Sequence, residues 1–316
     1  MDALKITLTP QTAFGTPLVG DTLFGHLCWG IAEAYGADRL QALLADYCDA
    51  NPFLIASDAF PAHYLPLPTL PSEYWEAGEE TDRKKLKKKQ WLPLEALKEP
   101  VRAWQKHAKS NNDIAADLIT SHSQAHNTIN RATHTTGTGA FAPYSSEQNW
   151  YSAGSAWQLY LLHDPARINH DELVRILANL GHSGYGRDAS TGLGKYQVEA
   201  CEASDLFTRT GNAAMTLAPC CPQGQSFDRA HSYYQTLTRF GRHGNVQATA
   251  GNPFKKPVLM AQSGAVFSGE RHGRPWIGQG ISGISTTLPA TVHQGYAPAI
   301  VLNLELERLK KADAFS

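Results

Sequence analysis

Gly184-Tyr185-Gly186-Arg187-Asp188-Ala189-Ser190-Thr191-Gly192-Leu193-Gly194-Lys195 places four glycines within eleven residues, between a helical stretch and a short strand. The helix is read from apolar spacing near Asp171–Leu180 and the strand from Tyr196 to about Ala200. Turning the chain needs one or two glycines. Four of them permit positive φ and let a phosphate approach the main chain, while Arg187, Ser190, Thr191 and Lys195 add donors suited to phosphate oxygens. Nucleotide-binding loops fail on spacing and order. A P-loop needs glycine where Ala189 stands and Ser or Thr where Tyr196 follows Lys195, and it runs strand, loop, helix. The dinucleotide fingerprint also needs a helix after the loop, where this chain has a strand.

Working outward, Ala3–Thr9 alternates with Leu4, Ile6 and Leu8 on one face and reads as a half-buried strand. Asp21 is the expected N-cap of a helix through Leu23, Phe24, Leu27, Cys28 and Ile31, and a second helical stretch spans about Ala37–Asp46. From Asn51 to about Ser123 periodicity fades. Prolines cluster over residues 61–71, the basic run Arg83–Lys89 follows, and the segment reads as an insertion that adds little to a central core. A Gly/Thr-rich turn at Thr135–Gly139 leads to strand-like segments near Phe141–Tyr144 and Trp157–Leu162. With the insertion set aside, residues 1–208 read strand, helix, strand, strand, helix, strand, the ferredoxin-like order shared with RNA-recognition motifs. Residues 209–316 offer strands at Ala213–Leu217, Tyr233–Phe240, Lys256–Ala261, Ala265–Ser268 and Ala297–Glu305, a second and degenerate copy with weaker helices. The expected class is α+β.

A hydrophobic fraction of 42% and an aromatic fraction of 9% over 316 residues exclude a disordered chain. No apolar run approaches the roughly 18–20 residues of a transmembrane helix, and Met1–Pro10 lacks the pattern of a signal peptide. The expectation is a cytoplasmic protein with no membrane contact. Cys28, Cys48, Cys201, Cys220 and Cys221 show no CxxC spacing, so a reduced protein without metal or cofactor is expected. Charge is uneven: residues 1–82 carry two Lys/Arg against twelve Asp/Glu, whereas residues 83–131 carry eleven against four. Residues 211–316 carry ten against five. A polyanion would meet the second and last stretches.

A glycine-rich loop between the last helix and last strand of a ferredoxin-like unit resembles the RAMP superfamily of CRISPR proteins. Asp21-Thr22-Leu23-Phe24-Gly25, His126-Asn127-Thr128-Ile129-Asn130-Arg131, Phe254-Lys255-Lys256-Pro257 and His293-Gln294-Gly295-Tyr296 are similar to segments of one family within it. That family is the 5′-handle-capping subunits of type III-A (Csm) effector complexes, the fourth Csm subunit. The resemblance implies two ferredoxin-like (RRM-like) domains, with a thumb-like insertion at about residues 60–140 of the first. It implies a non-catalytic subunit that holds the crRNA 5′ handle between a large polymerase-like subunit and a backbone RAMP subunit. The implied RNA-binding residues are His126, Asn127, Asn130 and Arg131; Gly184, Tyr185, Gly186, Arg187, Ser190, Thr191, Gly192, Gly194 and Lys195; Lys255 and Lys256; and His293, Gln294, Gly295 and Tyr296.

Each cluster also has a plainer reading. Asn127 and Asn130 could cap a loop, the Arg83–Lys89 run could be a solvated face, and Tyr296 could be core rather than a stacking platform. His26 on the first helix is either a general base, which would make the protein a guide-processing endoribonuclease, or a hydrogen-bonded histidine of the interior. A pure interaction scaffold is the third class, suited to the acidic first segment.

Overall fold

A computed structural model describes residues 1–244, 252–269 and 273–313. The first half contains β1 (Asp2–Pro10), α1 (Gly20–Tyr35), α2 (Ala37–Leu44), β2 (Leu54–Ala56) and β3 (Phe60–Pro61). An excursion follows: β4 (Tyr64–Pro66), α3 (Arg83–Lys88), β5 (Trp91–Pro93), α4 (Trp104–His107), α5 (Asn111–Ile114) and the paired strands β6 (Ile119–His126) and β7 (Tyr144–Tyr151). The chain then returns through β8 (Trp157–His163), α6 (His170–Ser183) and β9 (Tyr196–Ala203).

The first sheet runs β2-β8-β1-β9 with every pairing antiparallel. Counted as strands one to four of a split βαβ unit, that is the order 4-1-3-2. Leu4, Ile6, Leu8, Leu159 and Leu161 face α1 and α6, which contribute Leu23, Phe24, Leu27, Ile31, Leu173, Ile176 and Leu177 to one core. The helix α6 starts with a capping box, Asn169 and Glu172 each accepting the other's backbone N–H at 2.9 Å.

The second half consists of β10 (Ala213–Thr216), β11 (Phe227–Tyr233), β12 (Thr236–Arg239), β13 (Val258–Ala261), β14 (Val266–Gly269), β15 (Trp276–Ile281), β16 (His293–Leu302) and α7 (Leu306–Asp313). Its sheet runs β11-β14-β10-β16-β15, again antiparallel throughout. Four of these strands repeat the 4-1-3-2 order as β16-β10-β14-β11, with β15 added beyond β16. Among the described residues no helix joins them, so the repeat survives as a sheet without its helical layer.

Three expectations are corrected. The second strand of the first unit is Leu54–Ala56, ahead of the excursion, and not Phe141–Tyr144; Gly139–Phe141 is one turn of 3-10 helix. Tyr233–Phe240 is not one strand, since β11 ends at Tyr233 and β12 begins at Thr236. The stretch after residue 60 does build a core. Leu65, Tyr74, Trp75, Leu92, Leu97, Val101 and Trp104 are buried with Met215, Leu217, Val266, Ile300 and Leu302 of the second sheet. Its proline-rich, 3-10 rich backbone hides this from periodicity, because the buried side chains lie on turns rather than on a repeating face.

Candidate nucleic-acid interface

The glycine-rich loop is bound to the segment between β1 and α1. Gly194 N–H donates to Ala13 O at 2.8 Å, Lys195 N–H to Thr12 Oγ1 at 3.0 Å and Arg187 N–H to Thr16 Oγ1 at 3.0 Å. Tyr185 lies fully buried under the loop, its hydroxyl donating to Pro17 O and accepting from Val19 N–H. Gly186 N–H donates to His26 Nε2 at 3.0 Å. Two glycines are required by close approach as well as by positive φ. A Cβ on Gly194 would lie 2.0 Å from Tyr185 O, and one on Gly186 would lie 2.7 Å from Thr16 Cβ. Most of the loop's amides are thus engaged inside the molecule, and the groups it presents to solvent are the exposed side chains of Arg187, Ser190, Thr191 and Lys195.

The same β1–α1 segment carries the paired strands β6 and β7. Phe14 and Asn149 exchange two backbone hydrogen bonds, 2.8 and 2.9 Å, and Arg187 donates to Glu147 O. Five residues beyond Ser121, which pairs with Asn149, lies His126, roughly 17 Å further out at a strand's rise per residue. His126 stacks on Tyr144, centroids 5.1 Å apart, and bonds Ser146 Oγ. Asn130 caps the tip by accepting from Ala132 N–H at 2.9 Å. Asn127, Ile129 and Arg131 are exposed, and Arg131 makes no ion pair among the described residues. The structure therefore brings the loop and the root of this hairpin together and holds residues 126–131 at the far end.

A cleft of about 800 Å³ opens beside the loop between α1 and the end of α6, lined by His26, Trp29, Asn179, Ser183, Asp188 and Ser190 and reached by Gly244 of the second half. Burial pushes His26 down to about 4, so its imidazole is neutral, and Nε2 already accepts a hydrogen bond. No group of three or more His, Cys, Asp or Glu among the described residues could hold a metal ion. No described helix is long and apolar enough to cross a membrane.

The second-half motifs lie elsewhere. Gln294 is fully buried and its amide pairs with both Ala56 N–H and Ala56 O, each at 2.8 Å, as a neighbouring strand would. Tyr296 is fully buried and donates to Tyr47 O at 2.7 Å. His293 is buried 3.5 Å from Asp21 Oδ2, and burial holds its imidazole near 4 against the pull of that carboxylate. A Cβ on Gly295 would meet Gln279 O at 2.4 Å. His293, Gln294 and Tyr296 tie β16 to Asp21 of α1, Ala56 of β2 and Tyr47 of the first half, and the side chains of Tyr185, Gln294 and Tyr296 have no face left for a ligand. Lys255 turns inward, where burial lowers its ammonium, whereas Lys256 is exposed. Asp21 is not the N-cap: Val19 holds that position, and Gly20 N–H is satisfied by Asp58 Oδ1 at 2.8 Å.

Sequence comparison adds nothing to this picture, since no protein-family model matches and no curated protein does. Structural comparison does: the fold, with its two 4-1-3-2 sheets, is similar to that of chains in solved Csm assemblies. One chain of the Csm3–Csm4 subcomplex of the type III-A CRISPR–Cas interference complex matches with a TM-score of 0.59 at 15% identity, covering 96% of this chain and 100% of that one. A chain of the Csm1–Csm4 cassette in complex with pppApA matches at 0.58 and 15% identity, covering 96% and 99%. Csm4 is the subunit that both assemblies share, and this chain has a Csm4-like fold over 96% of its length.

Proposed function

We propose that this protein is a non-catalytic, cytoplasmic crRNA-binding subunit of a type III-A CRISPR (Csm) interference complex. It caps the repeat-derived 5′ handle and joins the large polymerase-like subunit to the backbone RAMP subunit. The observation that carries the reading is the full-length likeness to the fold shared by the Csm1–Csm4 and Csm3–Csm4 assemblies. On this reading residues 1–208 and 209–316 are two ferredoxin-like domains, the second with no helix between its described strands, and the thumb-like insertion is about residues 60–140 of the first. RNA follows the exposed side chains of the glycine-rich loop, Arg187, Ser190, Thr191 and Lys195, and the hairpin tip at Asn127 and Arg131. The neutral, hydrogen-bonded His26 supports a binding role over cleavage, because a general base needs a free lone pair.

The test is binding of labelled RNA bearing the 5′ handle against a handle-scrambled RNA, with cleavage followed on the same samples. Handle-selective binding of intact RNA, weakened by Arg131→Ala or Lys195→Ala, is expected. Metal-independent cleavage at the handle boundary, abolished by His26→Ala, would instead make the protein a processing endoribonuclease.

A further inference from the structure

Among the described residues β12 and β13 form a two-stranded ribbon, Ala261 of β13 also bridging Cys220, and after a one-residue shift of register the pairing resumes with Arg242 opposite Phe254. Along Thr236–Gly244 exposed and covered side chains alternate, while the partner strand shifts phase at Lys256–Pro257; Leu237, Val258 and Met260 lie on the covered side, and three polar side chains lie there with them. Arg239, His243 and Lys255 point inward: Arg239 pairs with Asp21, and His243 bonds Ser285 Oγ at 2.7 Å. Facing outward are Phe240 at 77% exposure, Phe254 at 63%, Leu259 at 56%, and the exposed Arg242 and Lys256. Water alone would favour the opposite arrangement, with rings covered and charges out. Two bare rings beside two cations on one face therefore indicate a face that is covered in the working protein.

The charge decides what covers it. The sequence has no Asp or Glu from residue 229 to residue 269, so the ribbon itself carries no acid that would repel a polyanion. Arg242 lies over the Phe254 ring, guanidinium carbon to centroid 5.6 Å, which holds a cation beside a stacking surface. The ribbon also leads away from the glycine-rich loop, because Gly244, next along from His243, lines the cleft beside that loop. We infer that the outer face of this ribbon is a base-stacking site for single-stranded RNA, Phe240 and Phe254 each taking a base and Arg242 and Lys256 the phosphates between. The inference rests on the RNA-binding reading above and extends its path across the second half of the chain. Single-stranded binders combine these same elements, aromatic platforms that accept any base and cations that follow the backbone.

The experiment uses the full chain and labelled single-stranded RNA bearing the 5′ handle, alongside the same RNA with abasic positions. Phe240→Ala and Phe254→Ala are each expected to weaken binding about 5- to 100-fold. Their salt dependence should stay as in the unaltered protein, whereas Arg242→Ala lowers the slope by about one. The losses should vanish on abasic RNA, and Phe240→Trp should retain the affinity that Phe240→Leu loses. Handle binding unchanged in both Phe→Ala variants overturns the stacking site and leaves the capping role standing. Equal losses on intact and abasic RNA, or loss of co-assembly with partner subunits at unchanged RNA affinity, overturn it in favour of a fold defect or a protein seat. Absence of handle-selective binding by the unaltered protein overturns the capping role itself.

Discussion

Asp21 and Arg239, 218 residues apart, form a two-point ion pair, Nε to Oδ2 at 2.6 Å and a terminal nitrogen to Oδ1 at 3.1 Å. The Asp21 side chain is 1% exposed, so the first turn of α1 is bolted to the ribbon of the second half by a charge that has no water to fall back on. Removing only the cation leaves that carboxylate buried and unpaired. Arg239→Ala is expected to destabilise by about 3–5 kcal/mol, and the joint change Asp21→Leu with Arg239→Met by far less. Urea unfolding of the two variants and the unaltered chain measures the difference.

Stability should rise with pH across the weakly acidic range. Burial holds His26 and His293 near 4, below their ordinary 6.5, so between those values the unfolded chain binds more protons at both sites. Asp58 opposes this: burial raises its carboxyl to about 7, so from about 4 to 7 the folded chain holds a proton that the unfolded chain has lost. Two histidines outweigh one carboxyl. The net expectation is a stability that climbs from about pH 4 to 6.5 and steepens in Asp58→Asn, read from denaturation midpoints at a series of pH values.

The glycine-rich loop separates conformational demand from packing demand. Gly192 has φ +98 with open space around its missing Cβ, so Gly192→Ala should destabilise by about 1–2 kcal/mol. Gly194 has φ +74 and a Cβ there would stand 2.0 Å from Tyr185 O, so Gly194→Ala should prevent the loop from seating and sharply reduce folded yield. Thermal melting and soluble expression distinguish the two.

Gln294→Ala and Arg131→Ala should behave as opposites. The first strips both partners from the buried backbone of Ala56 and is expected to destabilise by about 2–4 kcal/mol. The second touches an exposed tip and should leave stability within about 0.5 kcal/mol while weakening RNA binding and its salt dependence. Paired unfolding and RNA-titration measurements on each variant check this.

The elements legible in the sequence are those with a strong period or a strong stop. Leu4, Ile6 and Leu8 mark β1, the apolar stripe marks α1, and apolar spacing over Asp171–Leu180 marks α6 ahead of the glycine-rich loop. The three-residue β2 is too short to show a period. Strands β6 and β7 show none because both faces of the hairpin meet water, leaving Ser, Gln, His and Asn where alternation would otherwise appear. The candidate site was legible in part. Residues 187, 190, 191 and 195 are exposed as a ligand surface requires, but nothing local distinguishes Gln294 or Tyr296, whose partners Ala56 and Tyr47 are more than 200 residues away. Phe240 and Phe254 have a local signal in being two aromatic residues near Arg242 and Lys256 in a stretch without acids.

The core shared by residues 60–104 and the second sheet has a bearing on how the protein is made. Leu65, Leu92 and Trp104 leave the ribosome more than a hundred residues before Met215, Val266 and Ile300 arrive to cover them. The nascent first half must therefore wait with an apolar flank uncovered, and neither half can be cut away as a fragment without stripping the other of its lining. Apolar surface left bare during synthesis and resistance to dissection into parts are two faces of that one interleaved packing.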